Sequence, residues 1–593
     1  MLLSTVKRFL GFSLSITLLE AAQIPLAAHS TTYNLENDGN SWDINVAPGE
    51  NTTGHLVFET VNSFMQHWPN TRYRNGHSIV PAVVPPGTVL YHGRRDANTP
   101  TSPEWLATDP EHSYMFCRGQ SVESGCWQLT VTTVRPLKLL YFDGSAAAKM
   151  PDGAMDSQDI LAYGKVVPEK YRGERERINN LCEWAKDLNV DGFVRMEMDF
   201  EIMLCDFTQG VIVEAINLRA RARGGPGPGG PGRGPGGPEG PGRHLDKTFP
   251  SAKLPPHHDN SDSHSIDFSA LPNSGGFATF PSWHRYYPGD TRIQLDLTRL
   301  ISFYDTNLVP SLVVERHGQE RIKHRLLGIS SEDLRTVVQK IEELTEVSDP
   351  GSGIDWATLI RLIVKRYSER LEMVQYILNS TNPSNSASEN KALAENVQVQ
   401  LIAMLQPYML STVKPPQNPA TSTEWVTPMY KLCATTYTNY INTSSLRPRL
   451  TPSENLILDG IHTTTREICR VVTGMWVHGI MAGLEPDYYK PSATDDSDID
   501  LVALLDSWKE HIFGLMKWLD WSVWLKCRPA CGFEVFIAFF SEWVMFLTSL
   551  LDWQEMCYLP MWPFGRGSDE NHESDDPQPR CVRRMAPFDD HSF

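Results

Sequence analysis

The sequence predicts an α+β amino-terminal domain, a Gly/Pro linker and a mainly α-helical carboxyl-terminal domain. Three observations predict this fold class. Before residue 220, the apolar segments are short, rich in β-branched and aromatic residues, and bounded by Gly, Pro and Asp, which favours strands. Residues 224–242 are almost entirely glycine and proline. After them, apolar residues recur at helical spacing over long segments.

Composition sets the broad class of the protein. The chain has 593 residues, of which 41% are hydrophobic, so it can bury large cores in several domains. Its 71 acidic and 53 basic side chains give a net charge of -18. This charge opposes nonspecific attraction to nucleic acid and to anionic lipid. We therefore expect no nucleic-acid partner, and the sequence leaves other partners unknown.

The first 30 residues have the organisation of a secretory signal peptide. Lys7 and Arg8 precede an apolar run of about eleven residues, and small residues follow near Ala28 and Ser30. The run is too short to span a bilayer, and it is continuous rather than periodic. We expect residues 1–30 to be cleaved and the chain to be secreted or held at the cell wall.

Three glycosylation acceptor patterns agree with this route through the cell. They begin at Asn51, Asn379 and Asn442. Because such patterns also arise by chance, each asparagine is a candidate for carrying a glycan and no more.

The cysteines are even in number, as expected of a chain that forms disulfide bonds in an oxidising compartment. The ten disulfide candidates are Cys117, Cys126, Cys182, Cys205, Cys433, Cys469, Cys527, Cys531, Cys557 and Cys581. They lack the paired CxxC spacing of a zinc site, so we expect no metal. Local bonds from Cys117 to Cys126 and from Cys182 to Cys205 are plausible, but spacing does not determine connectivity.

Residues 31–220 are predicted to form the α+β domain. The segments VVPPGTVLYHG, QLTVTTVRPLKLLYFDG, DGFVRMEMDFEIMLCDF and GVIVEAINL are predicted strands, and ERERINNLCEWAKDL has one apolar helical stripe. In VRMEMDFEI the alternation is strict, so one face packs inward and the other is acidic. The acidic face carries Arg195, Glu197, Asp199 and Glu201.

Residues 221–264 are predicted to be a disordered linker. Proline removes backbone donors and glycine loses much backbone entropy on ordering, so neither a helix nor a sheet can form there. The linker also contains the pattern GxGxxG, but no strand precedes it and no helix can follow its prolines. We therefore do not interpret that pattern as a dinucleotide site.

Residues 265–525 are predicted to form the helical domain. SSEDLRTVVQKIEELTEV begins with a capping residue at Ser330, and WATLIRLIVKRYSERLEMVQYIL continues the helical period. A further helix is predicted after Thr451, because Glu454 completes a capping box. Residues 381–392 are rich in Ser and Asn and are predicted to be a loop.

Residues 526–565 are predicted to be a Cys-rich segment interrupted by an apolar run from Val535 to Leu551. A membrane span needs about 20 mostly apolar residues, and the central Glu542 costs on the order of 3 kcal/mol on insertion scales. The cysteines on both sides of the run also favour two flanks on the same side of a membrane. A membrane anchor at residues 535–551 is therefore the alternative rather than the first choice.

Residues 535–554 have another interpretation. Their removal leaves CRPACGFEEMCYLPMWPF, a compact Cys-rich sequence, and an insert of this length is in frame and can begin and end with intron boundary nucleotides. The sequence does not decide between native sequence, a span and a retained intron. Residues 566–593 are acidic and polar, and we predict a disordered tail.

Common catalytic patterns do not occur in the chain. It contains no HExxH, no GxSxG, no P-loop and no set of kinase motifs. Because many sites are assembled from distant residues, enzyme activity stays uncertain at this level.

One constellation in the first domain suggests an activity. VLYHGRR, EWLATDPEHSYMF and the acidic strand ending at Glu201 follow the order of the His, Tyr and Glu elements of the ADP-ribosyltransferase fold, which residues 85 to 215 resemble. The resemblance implies that His92 anchors the ribose of NAD and Tyr114 stacks on nicotinamide. It implies that Glu201 or Glu197 stabilises an oxocarbenium-like transition state. NAD is a cofactor only under this alternative, and otherwise we expect none.

A structural interpretation of the same residues is the stronger expectation. His92 could end a strand at a turn, and the charged residues from Arg195 to Glu201 could be the solvated face of a one-sided sheet. The polar residues Asp156 to Asp159 of the segment MDSQD are predicted to form a helix cap or a turn.

At the level of the whole chain, the sequence resembles a family of predicted secreted proteins from filamentous fungi with no assigned activity. The resemblance is carried by LYHG, EWLATDPEHSYMF, RPLKLLYFDG with MDSQD, TREICRVV, and the closing CRPACGF and CYLPMWPFG. It implies a secreted or cell-surface protein with a structural or interaction role. The alternative is a secreted enzyme with an ADP-ribosyltransferase-like domain.

Overall fold

The structure is a computed structural model that describes most of the chain between residues 42 and 583. The predicted signal peptide, the Gly/Pro linker and the apolar run at 535–551 lie outside the described residues. The described residues are 42–114, 116, 126–197, 199–218, 289–346, 350–382, 384–416, 423–486, 488, 500–531, 555–559 and 576–583.

Strands are concentrated before the linker. They are β1 (Ser78–Val84), β2 (Val89–Arg94), β3 (Glu104–Ala107), β4 (Cys126–Thr133), β5 (Leu137–Phe142), β6 (Gly192–Met196), β7 (Phe200–Leu204), β8 (Val211–Leu218), β9 (Gln294–Leu295), β10 (Ile301–Ser302), β11 (Glu555–Tyr558) and β12 (Arg580–Arg583).

The longest helices follow the linker. The helices are α1 (Gly54–Ser63), α2 (His67–Arg72), α3 (Pro110–Tyr114), α4 (Asp156–Tyr163), α5 (Glu174–Ala185), α6 (Ser311–Arg316), α7 (Ser331–Glu346), α8 (Trp356–Asn379), α9 (Ala387–Leu405), α10 (Thr427–Thr435), α11 (Asn439–Thr443), α12 (Pro452–Met481) and α13 (Leu501–Leu519). The predicted fold class is confirmed, because a mixed sheet domain precedes a mostly helical region.

A single mixed sheet organises the first domain. Its strand order is β10-β1-β5-β6-β7-β3-β2-β4-β8, and β9 also pairs with β1. Only β5 and β6 are parallel, and the other described pairs are antiparallel. Both faces are covered over β6 and β7, so the charged positions of these strands have no open solvent face to occupy, whereas the edge strand β8 is largely exposed.

The two faces of the sheet belong to different cores. One face carries Leu90, Leu106 and Ile202, and it shares a hydrophobic core with α1 and the long helices α8, α9, α12 and α13. The other face carries Phe142 and Met203 and packs against α4, α5, α6 and α7. Alternation along each strand therefore decides which core a side chain enters.

The chain returns to the sheet after the linker. Leu295 in β9 pairs with Ala82 of β1, and Ser302 in β10 pairs with Ser78. These pairings place residues 294–302 in the amino-terminal sheet although they follow the linker in sequence. The predicted boundary at residues 221–264 stays a prediction, because the whole of that segment lies outside the described residues.

Capping explains where the long helices begin. Thr451 and Glu454 form a capping box at the start of α12, as the sequence predicts. Ser386 and Glu389 form a second capping box, so α9 begins at Ala387. The prediction of a loop over residues 381–392 is therefore wrong after Ser386. Ser and Asn favour loops and also helix N-caps, and here Ser386 is an N-cap.

The alternating segment from Val194 to Ile202 is a hairpin and not one strand. β6 and β7 are antiparallel, with Arg195 opposite Glu201 and Val194 opposite Ile202. Paired residues point to the same face, so a tight hairpin keeps the period of two that one strand would show. The sequence pattern alone does not separate the two cases.

Disulfide bonds close the carboxyl-terminal region. Cys527 bonds Cys557, and Cys531 bonds Cys581. The second bond and the pairing of β11 with β12 order residues 580–583, inside the tail that we predict to be disordered. Both bonds join the amino-terminal flank of the apolar run to its carboxyl-terminal flank. Among the helices that the structure describes, none has the length and hydropathy of a membrane span.

Candidate functional site

The register of the sheet separates two residues of the predicted NAD constellation. Tyr91 in β2 pairs with Ala107 in β3, and Ala107 pairs with Glu201 in β7. Because paired residues point to the same face and neighbours in a strand to opposite faces, His92 and Glu201 lie on opposite faces of the sheet.

His92 is held by the backbone of the neighbouring strand. Its Nδ1 lies 2.6 Å from the carbonyl oxygen of Trp105, which it can reach as a donor. Its ring lies 6.0 Å from that of Phe207, measured between centroids. Burial lowers the pKa of His92, which favours the neutral ring. These contacts fit a structural histidine at the border of the core.

Tyr114 lies at the end of α3. Gln128 in β4 donates its Nε2 to the Ser113 hydroxyl at 2.8 Å, which fixes α3 against the face of the sheet that carries Gln128. Gln128 pairs with Gly93, so this is the face of Glu201 rather than of His92. The three residues of the constellation therefore do not line one cleft.

The acidic strand face, which could have been a solvated face, is buried. The exposed fractions of Arg195, Glu197, Asp199 and Glu201 are 1%, 8%, 1% and 7%. Helices α4 and α5 lie over this side of the sheet. The expectation of a solvated face is wrong because charged residues alternate in the same way whether they face water or each other.

Arg195 is the centre of the buried charges. Its Nε lies 2.6 Å from a Glu201 carboxylate oxygen, and its Nη1 donates to Gln158 at 3.2 Å. The same guanidinium also pairs with Glu174 of α5. Burial would raise the pKa of Glu174, but the charge of Arg195 outweighs it and the net shift is downward. Arg195 therefore joins two carboxylates and an amide from three elements.

The MDSQD segment forms the first turns of α4 and is buried rather than exposed as a turn. Arg177 of α5 contacts the Asp159 carboxylate at 2.9 Å, and Arg325 contacts Asp156 at 2.9 Å. Burial raises the pKa of Asp159 to about 6, although Arg177 opposes the shift. These pairs connect α4 to α5 and to the segment after α6, which indicates a structural role for the motif.

A second group of charges, near the buried charges around Arg195, contains the carboxyl groups of Asp109 and Asp199. His67 of α2 places Nε2 2.8 Å from the Asp199 carboxylate, and both side chains are almost completely buried. Asp109 directly precedes α3 and is close enough to Asp199 for each carboxyl group to shift the pKa of the other. We call His67, Asp109 and Asp199 the acid–base cluster.

The two carboxyl groups of the acid–base cluster are held in opposite states. Burial would raise the pKa of Asp199, but the bond to His67 outweighs it and keeps this carboxylate ionised. Burial and the neighbouring Asp199 raise the pKa of Asp109 to about 7, against the opposing charge of Arg292. Asp109 therefore gains and loses its proton near neutral pH.

Asp109 is also the member of the cluster that solvent reaches. Its side chain is 21% exposed, whereas that of Asp199 is 2% exposed. Arg292, 29% exposed, lies 3.4 Å from Asp109 and bonds Asp290 at 2.7 Å. A group that changes charge near pH 7 at an accessible position can act as a general acid or base.

Two further polar groups lie near the cluster. Lys149 is 33% exposed and bonds Glu197 at 3.0 Å, and burial raises the pKa of Glu197. His112 of α3 is 4% exposed, and neither of its ring nitrogens makes a hydrogen bond within the part of the chain that the structure describes. Its electrostatic interaction with Glu197 and Asp199 places it in the same neighbourhood.

Sequence reasoning missed His67, Asp109 and His112. Asp109 and His112 lie inside EWLATDPEHSYMF, a segment that the sequence analysis singles out for its tyrosine. His67 is 132 residues from Asp199, so only the folded chain brings them together. The sequence did show charge concentrated in the two motifs that carry Asp109 and Asp199. No residue spacing, however, indicated that these side chains meet.

The structure pairs cysteines as the secretory interpretation requires. Besides the two carboxyl-terminal bonds, it contains Cys182–Cys205 and Cys433–Cys469. Cys126 is disulfide-bonded, and its predicted partner Cys117 lies outside the described residues. The presence of disulfide bonds is thereby confirmed.

One group of cysteine sulfurs is close enough to suggest a metal. Cys527, Cys531 and Cys557 bring their sulfur atoms within 4.8 Å of one another. All three sulfurs are in disulfide bonds, however, and a metal binds the thiolate. The cluster is therefore explained by the two bonds.

The candidate glycosylation sites differ in exposure. Asn51 is exposed before α1, and Asn379 is exposed at the end of α8. Asn442 in α11 is half-buried, and its side-chain oxygen is shielded from solvent without a hydrogen bond among the described residues. Attachment of a glycan to Asn442 would have to displace neighbouring atoms.

Comparison with protein families gives one match. A family model described as the YPL277C N-terminal domain matches residues 44–130 and 120–340, which together span half of the chain. The matched residues include the sheet, the acid–base cluster and the segment that returns to the sheet after the linker.

Two uncharacterised proteins of Saccharomyces cerevisiae are similar to the chain. YOR389W is 24% identical over 574 residues, covering 87% of this chain and 83% of its own length. YPL277C is 26% identical over 393 residues, covering 57% of this chain and 78% of its own length. No solved structure matches the chain. The expectation of an uncharacterised family is confirmed, and the yeast relatives extend it beyond filamentous fungi.

Proposed function

Since the chain belongs to the family of the YPL277C N-terminal domain, whose two yeast relatives are uncharacterised, we propose a function from its own site. The proposal is a secreted or cell-surface protein whose first domain performs acid–base chemistry at Asp109, with hydrolysis of an acyl bond as the reaction class. One observation carries it. The half-buried Asp109 lies beside the fully buried Asp199, which raises the pKa of Asp109, and His67 contacts Asp199 at 2.8 Å.

The chemistry of the pair explains the choice of reaction class. In hydrolysis, the Asp109 carboxylate can take a proton from a water molecule as that water adds to the acyl carbon. It can then pass the proton to the leaving nitrogen or oxygen as the acyl bond breaks. Asp199 stays ionised because of His67, and Asp109 carries the exchangeable proton on the solvent side. No bound metal or organic cofactor is needed for this step.

Replacing Asp109 with asparagine is the direct test. D109N keeps an N–H donor toward Asp199 but cannot exchange a proton, so hydrolysis should fall at least about 100-fold. We would assay the secreted full chain and D109N against peptide and ester panels between pH 4 and pH 9. D96N replaces an exposed carboxylate. It is the matched control and should keep full activity. Equal rates in wild type and D109N would reject the proposal.

The same substitution has a readout that needs no substrate. The pKa of Asp109 is raised to about 7 in the folded chain, so the folded state binds this proton more tightly than the unfolded state. Its contribution to stability is therefore present in acid and lost as the pH rises toward about 7. The difference in unfolding free energy between wild type and D109N should decline between pH 5 and pH 8, and a flat difference would contradict the assignment.

Secretion rests on residues 1–30, on the disulfide bonds and on the exposed sequons. We expect the full chain, expressed in yeast, to reach the medium or the cell wall with glycans on Asn51 and Asn379. Treatment with an endoglycosidase should increase electrophoretic mobility, and N51Q and N379Q should each remove part of the change. N442Q is expected to have no effect because Asn442 is half-buried. A chain found only in the cytosol and without glycans would contradict this part of the proposal.

A structural or interaction role is the second candidate, and the edge strand β8 favours it. β8 pairs with β4 on one side, and no described strand pairs with its other side. Ile212 and Ile216 on this strand are 56% and 46% exposed. An open edge of this length can accept an extended peptide as an additional strand. Such a role would not depend on Asp109, so the D109N comparison separates the two candidates.

The ADP-ribosyltransferase alternative has less support. It requires His92 and Glu201 to face one cleft, whereas the register assigns them to opposite faces. Glu201 is also engaged by Arg195 at 2.6 Å, which leaves it poorly placed to stabilise a developing cation on a substrate. We therefore do not base the proposed function on NAD.

A further inference from the structure

A polar cleft lies away from the acid–base cluster, between the first helices and the segment that follows α6. It is a small cleft, and Asn70, Asn75, His77, Asp143, Tyr304 and Arg321 are among the residues that line it. We call it the Arg321 cleft. Its walls come from α2, from the ends of β1 and β5, and from residues 304–322.

Arg321 enters the cleft with hydrogen-bonding capacity left over. Its guanidinium carbon lies 3.7 Å from the centre of the Tyr73 ring, and its Nη2 donates to the Thr60 hydroxyl at 3.1 Å. Its Nε and Nη1 are shielded from bulk solvent and make no hydrogen bond within the described chain. A guanidinium with unused donors on two of its nitrogens favours an anionic partner.

A second buried cation lies behind the first. Arg316 is 8% exposed, and its guanidinium carbon lies 4.6 Å from the centre of the Tyr304 ring. Its Nη1 donates to the Phe303 carbonyl oxygen at 2.6 Å, while Nε and Nη2 have no hydrogen bond among the described residues. Neither Arg316 nor Arg321 forms an ion pair in that part of the chain. Two buried positive charges without a carboxylate partner leave a site that favours an anion.

The neighbouring histidines respond to this positive charge. Burial and the charge of Arg316 and Arg321 lower the pKa of His324 to about 4. His77 is 3% exposed, and its Nδ1 lies 2.8 Å from the Asn75 carbonyl oxygen. Its Nε2 has no hydrogen bond to any described residue. Because Nδ1 donates to the Asn75 carbonyl and the ring is neutral, Nε2 is an acceptor and does not itself bind an oxyanion.

The carboxyl groups around the cleft accept hydrogen bonds from serine residues. Asp143 accepts a hydrogen bond from the Ser78 amide at 2.7 Å, and burial raises its pKa to about 7. Glu59 accepts from the Ser522 amide at 2.7 Å and from the Ser522 hydroxyl at 2.6 Å, and burial raises its pKa. The charge of Arg321 opposes the rise in the pKa of both carboxyls, but neither forms an ion pair with Arg316 or Arg321 among the described residues.

We propose that the Arg321 cleft binds one small oxyanion, of the phosphate or sulfate class, through the free donors of Arg321 and with the support of Arg316. The anion would complete the hydrogen bonds that the buried guanidinium groups lack and would neutralise part of their charge. Its source could be free inorganic phosphate or the phosphate group of a small phosphorylated molecule. The site is independent of Asp109 and of the proposed hydrolysis.

The test uses the full secreted chain and defined anions. Wild type would be titrated with sodium sulfate, sodium phosphate and glucose 6-phosphate, with sodium chloride at matched ionic strength as the reference. We expect saturable binding of one sulfate or phosphate by calorimetry and a rise in melting temperature beyond that in chloride. Tighter binding of glucose 6-phosphate than of phosphate would identify the phosphate group of a larger molecule, and the reverse would identify the free anion.

Variants assign the binding to the cleft. R321M should weaken the affinity for sulfate by about 10- to 100-fold, because a charge-assisted contact is lost. R321K keeps the charge without the planar fork and should bind with intermediate affinity, and it serves if R321M does not fold. R172M, an exposed arginine stacked on Tyr171 with 5.2 Å to the ring centre, is the matched control and should bind as wild type does. No anion-specific binding by wild type, or undiminished binding by R321M and R321K, would overturn the proposal.

Discussion

Replacing Arg195 with methionine should lower the free energy of unfolding by about 3–5 kcal/mol, because the buried Glu201 loses its cation and Glu174 keeps, among the described residues, only its ion pair with Arg177. Arg195 is 1% exposed and contacts Glu201, Glu174 and Gln158. Methionine fills much of the same volume, so the loss would come from charge and hydrogen bonding rather than from a cavity. Chemical denaturation of the full chain, followed by tryptophan fluorescence, measures it.

The effect of R195M should depend on pH. Without Arg195, the largest charge that opposes burial is lost, so the folded-state pKa of Glu174 rises. Protonation then relieves the buried charge, so the loss of stability should be smaller at pH 5 than at pH 8. A loss that does not change across this range would indicate that the two carboxylates are hydrated instead of buried.

Arg135 provides the matched control on the same sheet. It makes two contacts with Asp191, at 2.8 and 2.7 Å, but it is 44% exposed. Because exposed ion pairs contribute little, R135M should cost only about 0–1 kcal/mol. Similar losses for R135M and R195M would mean that geometry rather than burial sets the contribution.

The contrast between these two arginines shows what the sequence could predict. Strand and helix types follow from local periodicity and from caps, which is why α8 and α12 could be predicted from residues near them in sequence. The cover over a strand face is not local. Glu174 and Arg177, which complete the buried charges, lie on the helix ERERINNLCEWAKDL, and nothing in the strand itself records that this helix packs there.

The candidate site follows the same logic. The sequence drew attention to the segments that carry Asp109 and Asp199, because charge and aromatic residues are concentrated in them. It assigned the chemistry to His92, Tyr114 and Glu201 because a family resemblance supplied that order. The side of the sheet on which each residue lies depends on the pairing of β2, β3 and β7. Register is a nonlocal property, and a shift by one residue exchanges the two faces.

The Arg321 cleft could not be predicted for a further reason. Its cation comes from residues 304–325, after the linker, and its aromatic wall from Tyr73, before the sheet. The two segments meet because β9 and β10 join β1, which are pairings of two residues each and too short for a pattern to indicate. The two halves of this site are far apart in sequence because the linker lies between them, but they are adjacent in the fold.

Removing the Cys433–Cys469 bond should have the second large effect. The bond joins α10 to α12 and closes a loop with a sequence separation of 36 residues, for which chain entropy alone gives about 4 kcal/mol. Both cysteines are buried, at 1% and 0% exposure, so C433A/C469A also removes sulfur atoms that pack in the core. We expect the double variant to lose about 4 kcal/mol or more in chemical denaturation without reductant.

The bond between Cys182 and Cys205 is the comparison that separates entropy from packing. Its sequence separation of 23 residues gives about 3 kcal/mol on the same entropy scale, and its cysteines are half-buried. If packing matters, C433A/C469A should exceed C182A/C205A by more than the small entropy difference. Equal losses would assign the whole effect to the unfolded chain.

The same bond links stability to the route through the cell. A thiol-reducing compartment would keep Cys433 and Cys469 as free thiols. The helical region would then lose the contribution of this disulfide bond to its free energy of unfolding. A chain expressed without residues 1–30 should therefore accumulate less and be digested faster by added protease than the secreted chain. Equal protease resistance of the two forms would show that the helical core is stable without its disulfide bond.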